Sequence, residues 1–325
     1  TALDAARVDW SNDQVGVTGI VGKITGSALG VQAGAASATN VDIHGIAATL
    51  KGNEMWNGGA YVWRQVTHNQ GAVGNTDIGV LGKNDFLYVL GVKGKVMAGP
   101  AWVALEVAKN FGENRARQAD GGPSGRSYTG YAAKLDLGAK LEMGVAAVTP
   151  WAHAGIGSGG GSAHDGKNRA FTAISPDYRP GAIYGRFAVA TAGANTASLG
   201  ARAGGTFAST SLSNRTVYGF GVKANPAAVN KLTTGLAFWH LNFTTETAPN
   251  IEGKKHIGSE IDWETTWAHS ENVSMTVTLG QFLPGGAINA NVQSNTAAAG
   301  PGINGASQRG SNPAKMAAFD LRVKF

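Results

Sequence analysis

No cysteine occurs in the 325 residues, which excludes disulfides and thiolate zinc sites as the means of holding the fold. The lack suits an exported protein, which avoids unwanted oxidation in transit, although many cytosolic proteins share it. Charge is also scarce. Asp, Glu, Lys and Arg make up 15% of the chain, well under the usual quarter, and the basic residues are dispersed, which argues against nucleic-acid binding. No apolar run approaches the roughly 18 residues of a membrane-spanning helix, and mean hydropathy is near zero. What is abundant is glycine: 48 residues, about twice ordinary usage. With no three-residue period they exclude collagen, and their cost in helices disfavours an α-rich protein.

The chain resolves instead into alternating segments of roughly ten residues. Strands are predicted near 2–10, 15–24, 41–51, 56–66, 85–95, 101–112, 127–141, 147–157, 213–224, 231–243, 256–268, 272–283 and 314–325. The connectors alternate too. Short ones such as Ser11–Gln14, Lys51–Glu54 and His269–Asn272 carry turn residues. Long ones fall near 25–40, 67–84, 113–126, 158–212, 244–255 and 284–313.

Short turns at one end and long loops at the other are the asymmetry of an outer-membrane barrel, whose strands need only alternate residues facing lipid. In 127–141, Tyr131, Ala133, Leu135, Leu137, Ala139 and Leu141 take one face, with Lys134, Asp136 and Lys140 on the other. In 256–268, Ile257, Ile261, Trp263 and Trp267 oppose Glu260, Asp262 and Glu264. Trp10, Trp56, Trp63, Tyr88, Trp102, Tyr131, Trp151, Trp263 and Trp267 lie near segment ends and suit interfacial girdles. A soluble sheet with its apolar face in a core would alternate as well, but would not need the turn/loop asymmetry.

The expected fold is therefore all-β, a single antiparallel transmembrane β-barrel domain over 1–325 in the bacterial outer membrane. The last strand places Phe319, Leu321, Val323 and Phe325 on one face. Its terminal aromatic resembles the mark read by the barrel-insertion machinery. Thirteen segments is an odd count, whereas single-chain bacterial barrels are even. With Thr1 in place of an initiator Met and no signal peptide, the expectation is a processed or truncated chain, part of a barrel of 14 to 18 strands lacking amino-terminal ones.

Alternation assigns a charged lumen to Arg7, Asp9, Arg64, Lys93, Lys95, Glu106, Lys134, Asp136, Lys140, Lys223, Glu260, Asp262, Glu264, Asp320, Arg322 and Lys324. Charges in a pore order water and bias which solutes pass; they also pair across strands and stiffen the wall. Bases from 85–95, 127–141 and 314–325 against the Glu260, Asp262 and Glu264 face would make oppositely charged walls. A net charge of 27 − 21 = +6 favours anionic partners such as lipopolysaccharide or acidic polysaccharide.

Three segments carry a family resemblance. Thr1–Val8, His256–Trp263 with its Gly-x-Glu-Ile-Asp core, and Gly280–Gly285 with Phe-x-Pro-Gly resemble the alginate-export porin family. The resemblance implies an eighteen-stranded monomer with a charged pore for an acidic polysaccharide, five strands preceding 2–10, and a long loop that covers or enters the pore. The lumen read from this chain is only weakly basic, and relatives transport diverse solutes.

Other signals fail on context. Gly155-x-Gly157-x-x-Gly160 lacks the helix of a dinucleotide site. Gly161–Asn168 approaches a phosphate loop but puts Asn where Ser or Thr would hold magnesium. The seven histidines show no metal-ligand spacing, so neither a cofactor nor a metal is expected. Within 158–212 the stretch Phe171–Gly181 is aromatic and carries two prolines; it either constricts the pore or lies on the surface. Deleting 160–180 should raise conductance if it constricts. The expected function is passive diffusion or export of polar solutes. A scaffold barrel around an unspecified protein partner is the alternative, and an outer-membrane hydrolase the third reading.

Overall fold

The structure is a computed structural model and describes residues 3–26, 39–70, 83–114, 126–160, 166–174, 178–185, 211–245, 254–287 and 312–324. These residues form one sheet of sixteen strands: β1 (Leu3–Ser11), β2 (Val15–Gly26), β3 (Thr39–Asn53), β4 (Trp56–Gln70), β5 (Lys83–Ala98), β6 (Ala101–Asn114), β7 (Arg126–Tyr128), β8 (Tyr131–Ala139), β9 (Leu141–Glu142), β10 (Ala146–Gly157), β11 (Lys167–Asn168), β12 (Thr216–Pro226), β13 (Leu232–Asn242), β14 (His256–Trp267), β15 (Val273–Pro284) and β16 (Ala314–Val323).

Thirteen of them follow one another in an antiparallel meander, β1-β2-β3-β4-β5-β6-β8-β10-β12-β13-β14-β15-β16. The thirteen predicted segments map one to one onto this path; the segment 127–141 is broken into β7, β8 and β9. Path strands run from 9 residues in β1 to 16 in β5, enough for a tilted strand to cross a bilayer. This is β-barrel architecture. Among the described residues β1 and β16 are not paired with each other.

The short turns are tight for a local chemical reason. Asn12 Oδ1 accepts the N–H groups of Gln14 and Val15 at 2.9 and 2.7 Å, and Asn53 Oδ1 does the same for Met55 and Trp56 at 2.8 and 3.2 Å. Ser270 Oγ repeats the device for Asn272 and Val273. Each side chain satisfies donors that the ladder leaves over at its end.

Register makes the two faces explicit, because residues directly opposite on antiparallel strands share a face. One face carries the exposed aliphatic and aromatic side chains: Val8, Ile46, Leu90, Leu105, Phe220, Leu236, Ile261, Leu279 and Phe319 among them, the last 64% exposed. In water so many exposed large hydrophobics would be unfavourable, whereas in hydrocarbon they are solvated by their own kind. The other face carries most of the charges and the buried cluster. That cluster joins Leu87 and Val89 on β5, Val217 on β12, Leu241 on β13 and Phe282 on β15 to Phe171, Ile183 and Tyr184 of the connection after β10. Side chains from strands so far apart along the path meet only on a concave surface.

Bulk on that inner face is set by glycines opposite aromatics. Gly45 faces Trp63, Gly91 faces Tyr61, Gly138 faces Trp102 and Gly219 faces Trp239. A Cβ on Gly45, Gly91 or Gly219 would fall inside the facing ring, so each ring lies flat over a bare rung. Trp63, Trp102 and Trp151 therefore point inward, which corrects their assignment to an interfacial girdle. Trp10, Trp56, Tyr88, Tyr131 and Trp263 do face outward.

Candidate functional site

The connection after β10 does not stay at the rim. At its start β11 pairs in parallel with β7, and Ser158 Oγ donates to the Arg169 carbonyl at 2.6 Å. The chain then turns onto the inner wall and is held at three successive stations along the path. On β6, the buried Asn110 amide brackets Thr172, its Nδ2 donating to the Thr172 carbonyl at 3.0 Å and its Oδ1 accepting the Thr172 N–H at 2.7 Å. Facing β10, His153 Nε2 lies 2.6 Å from the Tyr178 hydroxyl while His153 Nδ1 lies 2.6 Å from Asp136 Oδ1 on β8. Burial pushes the Tyr178 phenol up from its ordinary range, and the nearby Asp136 carboxylate and Tyr184 add to it; Tyr178 stays protonated and donating at any physiological pH.

The third station is on β14. Ile183 and Tyr184 donate their N–H groups to Glu260 Oε1 and Oε2 at 2.5 and 2.9 Å, and Ala182 donates to Asp262 Oδ2 at 3.0 Å. Gly181 makes this possible: its φ is +79°, and a Cβ there would stand 2.7 Å from Glu260 Cδ. A left-handed residue is needed to aim three successive N–H groups the same way, and only glycine leaves room for the carboxylate. Arg215 Nε then donates to the Tyr184 hydroxyl at 2.8 Å, its guanidinium 4.6 Å from the Phe243 ring.

Beside this station a polar cavity of about 270 Å³ remains, lined by Arg179, Gly181, Ala182, Glu264, Thr278 and Asp320 among others. It lies between the inward-folded segment and the β14–β16 wall, with charges of both signs.

The residues predicted to line a pore divide into four groups. Arg7, Lys93, Lys95, Glu106, Lys134, Asp136, Lys223, Glu264, Asp320 and Arg322 share the inner face by register. Several are paired there. Arg7 makes a bidentate contact with Asp9 at 2.7 and 2.9 Å. Glu106 accepts the Tyr61 hydroxyl at 2.7 Å and lies 3.5 Å from Lys134 Nζ, and Lys95 sits 5.3 Å over Trp102.

Glu260 and Asp262 are on the inner face too, but 0% and 7% exposed and committed to the backbone of 182–184. They do not form the free acidic wall expected of them. Lys140 lies past the end of β8 in the short turn, 2.7 Å from Glu142, and Lys324 lies beyond β16, its N–H donating to Asn272. Both sit at the short-turn rim.

Arg64 is a correction of a different kind. It is registered between His44 and Tyr88, on the face of Ile46 and Leu90, so it points outward. The alternation of 56–66 is right, but inward was the wrong choice for a face whose other members are Val62 and Ala60.

A Ser–His contact also exists. Ser259 Oγ lies 3.0 Å from His240 Nδ1 and 3.3 Å from His256 Nε2, the two rings 4.5 Å apart. Among the described residues no carboxylate is bonded to either ring, and no group of three metal-ligating side chains occurs. The stations themselves were not legible beforehand, save that Phe171–Gly181 stood out by its aromatic residues and two prolines. Much of the connections 158–212 and 284–313 lies outside the described residues.

No family model and no curated protein matches the chain. Among solved structures, the chain is similar to the ferric enterobactin receptor of Pseudomonas aeruginosa at 12% identity and a TM-score of 0.41, covering 85% of this chain and 41% of that one. It is also similar to the CymD monoaromatic hydrocarbon channel at 10% identity and a TM-score of 0.33, over 87% of this chain and 81% of that one. The chain thus spans about two-fifths of the length of the receptor it resembles.

Proposed function

We propose that the chain is the wall and inner constriction of a bacterial outer-membrane channel through which polar solutes diffuse passively. The observation that carries this reading is the sidedness of the sheet. Exposed aliphatic and aromatic side chains dominate one face, while most of the ionised groups and a polar cavity occupy the other. Such a wall separates hydrocarbon from water.

Segment 166–185 narrows the passage, and solute moves past it along Arg179, Glu264, Thr278 and Asp320, where charges of both signs favour zwitterionic or hydroxyl-rich solutes over strongly anionic ones. Export of an acidic polysaccharide rests on the sequence resemblance of Thr1–Val8, His256–Trp263 and Gly280–Gly285 and on the net positive charge, and the paired or outward-facing bases weaken it. A non-enzymatic role belongs to the same reading. The hydrolase alternative would need a carboxylate behind His240 or His256.

Planar-bilayer recording of the purified chain tests the proposal. Discrete conductance steps, blocked or slowed by added polar solutes, are the expected result. A membrane-inserted protein that carries no current would overturn it in favour of a scaffold barrel closed by segment 166–185.

A further inference from the structure

We infer that the outward face of β1–β5 carries a binding site for a phosphorylated acyl lipid of the outer leaflet, specifically the lipid A portion of lipopolysaccharide. Two adjacent rungs build it. The rung nearer the long connections reads Ala6, Val21, His44, Arg64 and Tyr88 across five strands; the next one down reads Val8, Gly19, Ile46 and Val62. Together they line an apolar groove of about 490 Å³ on the lipid-facing side. Gly19 is its floor, since a Cβ there would meet nothing within 4 Å.

On the head rung itself Arg64 and His44 are the basic side chains, while Asp4, Lys23, Asp42 and Glu113 share the outward rung above it. Arg64 stands 5.4 and 5.7 Å from the Phe86 and Tyr88 rings. Its Nε is buried with no hydrogen-bond partner, and so is His44 Nδ1, one strand away on the same rung. Asp42, one rung nearer the long connections, has a partner of its own. An arginine on a lipid-facing strand is costly near the midplane and tolerable near the interface. With no carboxylate on its own rung, it can take an anion that arrives with the lipid. The donors of Arg64 suit a phosphate in two-pronged geometry, the Tyr88–Phe111 stack at 5.2 Å marks interfacial depth, and the groove below takes an acyl chain. Lys109, outward on β6 beside Leu90 on the lower rung and 5.9 Å from the Tyr131 ring, donates from Nζ to the Thr129 carbonyl and adds a second cation to this face. The long-loop end faces the outer leaflet, where the abundant anionic lipid bears phosphates on an acylated sugar.

The inference rests on the sheet spanning the outer membrane and not on its conducting solutes. The test is native mass spectrometry of the full chain in detergent with added diphosphoryl lipid A, set beside dephosphorylated lipid A and phosphatidylglycerol. One tightly retained diphosphoryl lipid A per chain is expected. Arg64→Gln should weaken retention at least about tenfold, as loss of a charge-assisted contact does. Gly19→Leu, which fills the groove without touching the basic head, should weaken it as well. Heat-modifiable gel mobility shows that both variants fold. Equal retention by wild type and both folded variants would overturn the site, and so would phosphatidylglycerol competing as well as lipid A.

Discussion

The Glu260 carboxylate holds the Tyr184 backbone N–H at 2.9 Å across 76 residues of sequence, and its other oxygen holds Ile183. One side chain on the wall thus fastens the tip of the segment that narrows the lumen. Glu260→Gln removes the charge and one acceptor oxygen. Each buried N–H left without an acceptor costs about 1–3 kcal/mol, so the tip should detach while the sheet persists. Gly181→Ala should do the same by pressing a methyl on the carboxylate. Both variants should show larger, noisier single-channel currents and faster chymotryptic cleavage after Tyr184. Currents and cleavage identical to wild type would show that the station does not hold the segment.

Tyr178 gives the second station a direction in pH. Its phenol is raised in the folded protein by burial first, and by the Asp136 carboxylate next. A raised value means the folded state keeps a proton that the free tyrosine loses above about pH 10. The station's contribution is therefore complete below that pH and fades as pH climbs above it. Conductance should be flat through neutral pH and rise in alkali beyond the ordinary tyrosine range. In Tyr178→Phe the alkaline rise should vanish; a rise that survives the substitution would assign it to another group.

Selectivity should follow the inner-face bases and ignore the rim ones. Lys93 and Lys134 flank Glu106 on neighbouring strands, whereas Lys140 pairs with Glu142 in a turn. Lys93→Gln together with Lys134→Gln leaves Glu106 unbalanced and should move the reversal potential in a salt gradient toward cation selectivity. Lys140→Gln alone should leave it where it was. The reverse pattern would place the narrowest charged zone at the short-turn end.

The flat rings over bare rungs give a stability prediction. Gly219→Val puts a branched side chain into the space of the Trp239 ring. Overpacking of this kind costs about 1–3 kcal/mol, read as a lower melting temperature in detergent. Gly19→Val, where the space is open, should leave the melting temperature unchanged.

Alternation made the thirteen path strands and most of the inner-face charges legible, because a period of two is local to each strand. It does not say which of the two faces is inner. For β14 the two tryptophans decided it, whereas on β4 a single arginine misled: Arg64 and Trp63 are adjacent, and the charge was taken inward when the indole is. What settles β4 is Gly45 lying opposite Trp63, a relation between strands. Glu260 and Asp262 were found as residues but given the wrong task, since their partners, three backbone N–H groups, leave no trace in residue type. Gly181 after Pro180 was the one local hint of a sharp inward turn.

Because the segment is tethered first to β6 and last to β14, its far end is fastened only once the chain has been laid out as far as Asp262. The spoke can therefore hang from the earlier staves, and its crossing of the bore is completed only when β14 is in place.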